Sequence, residues 1–109
     1  MKEKLKLRIM ANPNSVLKLN VGGKEFMTTQ STLLSDQNSM LAKMFSPDSN
    51  GRIPATQDDR GAFFIDRCPI YFGVILNYLR SGQFEKRANI DMKFLRNEAE
   101  YFGIQGNTI

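Results

Sequence analysis

The run Gly61-Ala62-Phe63-Phe64-Ile65-Asp66-Arg67-Cys68-Pro69-Ile70-Tyr71-Phe72-Gly73-Val74-Ile75-Leu76-Asn77-Tyr78-Leu79-Arg80-Ser81-Gly82 decides how this chain folds. Ala62 to Ile65 is a short apolar stretch suited to a buried strand. Pro69 stands where a helix can begin, because the N–H that proline lacks has no partner in a first helical turn. Between Ile70 and Leu79 apolar residues occupy two faces, Phe72, Ile75, Leu76 and Leu79 on one and Tyr71, Val74 and Tyr78 on the other. The spacing predicts a helix buried on both sides and ended by Ser81-Gly82. Asp66 and Arg67 fall at the junction of that strand and helix, and opposite charges wedged between buried elements must be paired or hydrogen-bonded. An internal salt bridge or helix cap and a contact between subunits are equally open readings of these two residues.

Upstream, Leu17, Leu19 and Val21 alternate with Lys18 and Asn20, the period-two pattern of a half-buried strand. Gly22-Gly23 supplies the positive φ of a tight hairpin turn, and Phe26 and Thr28 continue into an antiparallel partner. Thr29, Ser31 and Thr32 offer helix-capping hydroxyls before Leu33-Leu34, and residues 36–39 offer another cluster before Met40, Leu41, Met44 and Phe45, an amphipathic spacing. Residues 46–61 carry Pro47, Pro54 and Asn50-Gly51 and are expected to form a mobile surface loop. Near the end, Asp91 caps a closing helix whose Phe94, Leu95, Ala99 and Phe102 are expected to face inward, with Gly103 as its stop. The order predicts one α/β domain, a small mixed sheet packed against a cluster of helices. Residues 1–15 read as a basic tail, 16–105 as the domain and 106–109 as its end.

Composition removes most chemistry. The chain of 109 residues has no histidine, hence no usual general base, zinc nitrogen ligand or His-paired nucleophile. Cys68 is its only cysteine, so no intramolecular disulfide forms; it is expected to be a small half-buried side chain and not a nucleophile. Asp58-Asp59, in a polar loop without further ligands, reads as solvated charge rather than a metal or acid/base pair. Val21-Gly22-Gly23 lacks the phosphate-loop pattern. Of the formal charge of +4, the first eight residues hold +3, from Lys2, Lys4, Lys6 and Arg8 against Glu3. The remaining body is nearly neutral and offers no basic stripe for nucleic acid. With no long apolar run and no signal-peptide core, the segment is expected to be soluble, without membrane contact, and cytoplasmic or also nuclear. Neither enzyme activity nor a cofactor or metal is expected.

Several of these stretches together resemble a known family. Leu17-Lys18-Leu19-Asn20-Val21-Gly22-Gly23-Lys24 followed by Phe26, Thr28 and Thr29, the segment Ser39 to Phe45, the run from Gly61 to Gly82, and Glu98-Ala99-Glu100-Tyr101-Phe102-Gly103-Ile104 are similar, in this order, to the BTB/POZ-type tetramerisation domain of the KCTD family. The resemblance covers 16–105. It implies a BTB/POZ fold, ring-like homo-oligomers, often tetramers or pentamers, and in many members recruitment of cullin-3 as a ubiquitin-ligase substrate adaptor. The same motifs are similar to the cytoplasmic tetramerisation domain of voltage-gated potassium channels, although the zinc-binding His and Cys cluster of some channel domains is missing here. A cullin-independent scaffold is the other alternative. On these expectations Asp66, Arg67, Tyr71 and Tyr78 are candidates for the subunit contact. Phe45 and Ile53 are candidate anchors for cullin-3, with Met44 in the core.

Overall fold

A computed structural model describes residues 14–46 and 55–104. Strands β1 (Val16–Val21) and β2 (Lys24–Thr29) form the expected hairpin, with Leu19 opposite Phe26 and Lys18 opposite Met27. The turn needs glycine for two reasons at Gly22: its φ is +57°, and a Cβ there would lie 2.4 Å from the carbonyl oxygen of Arg67. That close approach is fixed by the Gly22 N–H, which donates to the Ile65 carbonyl at 2.9 Å. The hairpin is thereby keyed to the junction that follows β3 (Phe63–Ile65), which pairs parallel to β1 with Leu19 opposite Phe63 and Val21 opposite Ile65. The described strands lie in the order β2-β1-β3, and the parallel pair requires a crossover, which the helical segment after β2 begins.

That segment holds α1 (Gln30–Leu33), capped by Thr29, and α2 (Met40–Phe45), whose first turn is capped by Ser39 accepting from the Ala42 N–H at 3.1 Å. The inward face of α2 is Leu41, Ala42 and Phe45, with Met40 and Met44 only partly covered. Gln30 is fully buried, and its Nε2 donates to the Phe45 carbonyl at 3.2 Å, satisfying an acceptor that the end of α2 leaves open.

Helix α3 (Pro69–Ser81) buries Phe72, Val74, Ile75, Leu76 and Leu79 and ends at Gly82, φ +81°. The Phe72 ring meets Phe26 of β2 edge-on at 5.2 Å and Phe102 at 5.5 Å, so one side chain joins sheet, long helix and C-terminal end. Burying a ring of this size contributes on the order of 2–3 kcal/mol. Helix α4 (Met92–Tyr101) starts on Asp91, whose carboxylate accepts from the N–H groups of Lys93 and Phe94, and buries Leu95 and Ala99. Phe102 after it is buried as expected, but Phe94 is 58% exposed. Leu95, Ala99 and Phe102 already make an i, i+4, i+7 stripe, and Phe94 stands one step, roughly 100°, off it.

Candidate interaction surfaces

Arg67 and Asp66 do not pair with each other. Arg67 Nε and Nη2 donate to Oε2 of Glu98, 31 residues away, at 2.9 and 2.5 Å, and its guanidinium carbon lies 3.8 Å from the centre of the Tyr101 ring. Arg67 therefore clamps the start of α3 to the outer side of α4, by charge and by stacking. Asp66 is exposed, and α3 begins on Cys68 without a side-chain cap bond. The exposed, sequence-adjacent carboxylate stays in water while the arginine reaches a more sheltered one. Cys68 itself is exposed and not half-buried, since its place at the helix start turns it away from the core.

The two tyrosines on α3 are half-buried and engaged within the chain. Tyr71 Oη accepts from the Asp91 N–H at 3.1 Å, and its ring meets Phe94 edge-on at 6.2 Å. Tyr78 stacks on Phe84, centroids 4.1 Å apart and planes 6° from parallel. Both pin the connection from α3 to α4 while part of each ring stays accessible.

Phe45 is not available to a partner. It is 1% exposed and meets Phe63 edge-on at 5.1 Å, because the phase of α2 turns Phe45 inward and leaves Met44 at the margin, the reverse of the sequence expectation. Ile53 lies outside the described residues.

Asp58 also departs from the expectation of a solvated loop charge. One carboxylate oxygen accepts from Asn20 Nδ2 at 3.0 Å, the other from the N–H groups of Arg60 and Ala62 at 2.9 and 3.0 Å. Chiefly the Asn20 bond, then the Ala62 N–H, hold its carboxyl below the ordinary carboxylate range. Asn20 Oδ1 in turn accepts from the Gly23 N–H at 2.9 Å, so Asn20 ties the hairpin turn to the segment leading into β3. Asp59 is exposed. Among the described residues no three His, Cys, Asp or Glu side chains gather as a metal site, and no helix is long and apolar enough to cross a membrane.

The large exposed apolar side chains fall into two sets. Val16, Met27 and Phe64 belong to the sheet face turned away from α3, as the pairing of Lys18 with Met27 and Asn20 with Phe64 requires. Ile70, Phe94 and Tyr101 belong to α3 and α4, and Phe94 and Tyr101 stand seven residues apart on the outer side of α4. Sequence reading missed this second set; the signal was the i, i+7 spacing of two aromatics beside the separate buried stripe.

A profile of the BTB/POZ domain matches residues 17–109. The chain belongs to the BTB/POZ family. Several of its relatives are KCTD proteins: this BTB/POZ domain is 51% identical to mouse KCTD9 over 89 residues, 81% of the chain and 26% of that protein. It is 39% identical to human KCTD3 over 94 residues, 86% of the chain and 11% of the relative. With bovine KCTD5 it shares 40% over 95 residues, 84% of the chain and 40% of the relative. The chain thus spans well under half the length of each of these curated relatives. The small mixed sheet with its helices is consistent with the BTB/POZ fold, and the family is one of interaction and self-association domains, not of enzymes.

Proposed function

We propose that this BTB/POZ domain assembles into a closed homo-oligomer, a tetramer or pentamer, and serves as the assembling part of a cytoplasmic KCTD-type adaptor for a cullin-3 ubiquitin ligase. The observation that carries the assembly is the division of exposed apolar side chains between two unlike faces, the outer sheet face and the α3/α4 side. Unlike faces on one chain fit a head-to-tail contact, which closes into a ring when the rotation allows it. Asp66, Tyr71 and Tyr78 are proposed at the subunit contact, with Arg67 shaping it through Glu98 and Tyr101. The identity of 51% to a KCTD protein supports the adaptor reading over a potassium-channel domain. Light scattering at micromolar concentration tests assembly, and a monomer would overturn it.

For the cullin-3 contact, burial removes Phe45 and leaves Ile53 as the proposed anchor. Titration with the N-terminal part of cullin-3 should show binding that alanine at Ile53 weakens by about 2 kcal/mol or more while the domain stays folded. No binding by the unaltered domain would shift the function to a cullin-independent scaffold.

A further inference from the structure

The segment Asn77 to Gly82 contains a polar pair that the proposed assembly does not use. Arg80 lies in the last turn of α3 and is exposed, yet its Nη2 reaches across to the Met27 carbonyl of β2 at 2.9 Å, while Nη1 donates to Asn77 Oδ1 at 3.2 Å. The place of Met27 in the hairpin explains what that bond does. Val21 and Lys24 flank the two-residue turn and exchange backbone bonds, so by alternation Leu19 with Phe26 and Leu17 with Thr28 do the same. The N–H and C=O groups of Glu25, Met27 and Thr29 then point away from β1. Among the described residues no strand lies on that outer side of β2.

The opposite edge of the sheet is covered. The Phe64 N–H donates to the Thr56 carbonyl at 2.8 Å, and Gln57 bridges Phe63 in antiparallel sense. The open edge is therefore β2, with an exposed methionine at its middle and β-branched residues beside it, the kind of edge that templates another strand.

We propose that Arg80, steadied by Asn77, is an edge guard: it occupies the Met27 carbonyl and stands where a second copy's β2 would add. The occupant it excludes is another copy of this strand, because the other described edge is already filled. Pairing of β2 with β2 is two-fold, uses up both open edges and stops there. It would join two monomers if the domain were single, and two rings if it were assembled through its faces. The guard thus confines association to the faces, and its action does not depend on how many copies the faces bring together.

The test compares Arg80→Ala with the unaltered domain at equal concentration by size exclusion with light scattering. The expected mass is at least about twice that of the unaltered protein, whatever the latter is, as two-fold pairing requires. Adding Met27→Pro to Arg80→Ala should bring the mass to that of Met27→Pro alone, which controls for the place of Met27 on the outer sheet face, since the Met27 N–H faces outward and proline there removes no bond of the ladder. Unchanged mass in a folded Arg80→Ala, or growth that persists with Met27→Pro, would overturn the guard. Should Arg80→Ala lose its cooperative melt, Asn77→Ala replaces it. That variant removes the second anchor of the arginine; a rise in mass reversed by Met27→Pro supports the guard, and no rise overturns it. A monomeric unaltered domain, by contrast, refutes the assembly reading and leaves this comparison intact.

Discussion

Replacing Glu98 by alanine isolates the internal salt bridge whose partner the sequence did not name. The Glu98 side chain is 12% exposed and that of Arg67 33%, so the pair is neither free in water nor fully shielded. A hydrogen bond to a charged group contributes about 1.5–3 kcal/mol when sheltered, and an exposed ion pair about 0–1 kcal/mol. With one partner a third open to solvent, the loss should fall between these, about 1–2 kcal/mol. The guanidinium can still stack on Tyr101 once the carboxylate is gone, which argues against a larger figure. For a domain of this size that loss lowers the melting temperature by about 5–15 °C. Thermal and urea denaturation of Glu98→Ala, Arg67→Met and the double variant give the coupling energy. All are run at one protein concentration because assembly would make melting concentration-dependent. The control is the coupling between Asp66→Ala and Arg67→Met, expected near zero because these two side chains do not pair, whatever Asp66 contributes at the subunit contact. A coupling near zero between Arg67 and Glu98, or one between Arg67 and Asp66 of equal size, would refute the assignment of Arg67 to α4.

Other expectations follow from equally local features. Phe45→Ala empties a core position beneath Phe63 and should cost about 3–5 kcal/mol in urea unfolding, whereas a surface anchor would leave stability unchanged. Gly22→Ala should destabilise more than Gly23→Ala in the same assay: both carry positive φ, but only at Gly22 does a Cβ meet the Arg67 carbonyl. The carboxyl of Asp58 is held below its ordinary value of 3.8 by bonds made in the fold, so the unfolded chain takes up the proton first. Its contribution is then present above that value and lost as pH falls below it; Asp58→Asn should flatten the acid limb of a stability-against-pH curve, and an unchanged limb would count against the Asn20 tie.

Much of the fold was legible because it rests on local requirements. Gly22-Gly23 between alternating strands admits few conformations besides a hairpin, and the nearly continuous apolar run after Pro69 had to be a buried helix. The errors share one physical origin, the phase and partner of a side chain across long sequence distances. A helix as short as Met40–Phe45 carries too few turns for periodicity to distinguish Met44 from Phe45 as the inward residue. Arg67 stood beside a carboxylate in sequence, and nothing local indicates that one on α4 is better placed. Gln30 carries no local signal of burial, and is buried because the end of α2 offers it a carbonyl.

The internal use of Arg67 also narrows what a partner copy can recognise. An arginine held by a carboxylate and stacked on a ring presents an already compensated charge, and drawing it into an intersubunit salt bridge would strand Glu98, at 12% exposure, without its partner. The same holds for Tyr71, whose hydroxyl is committed to the start of α4. Recognition through this side of the domain must then rest on the exposed parts of Phe94, Tyr101 and the Tyr71 ring, on Ile70 and on Asp66. Contacts of this composition gain mainly from apolar burial around a polar rim. Their strength should therefore respond weakly to salt, in contrast to a surface assembled through arginine-carboxylate pairs, whose attraction a high ionic strength would screen.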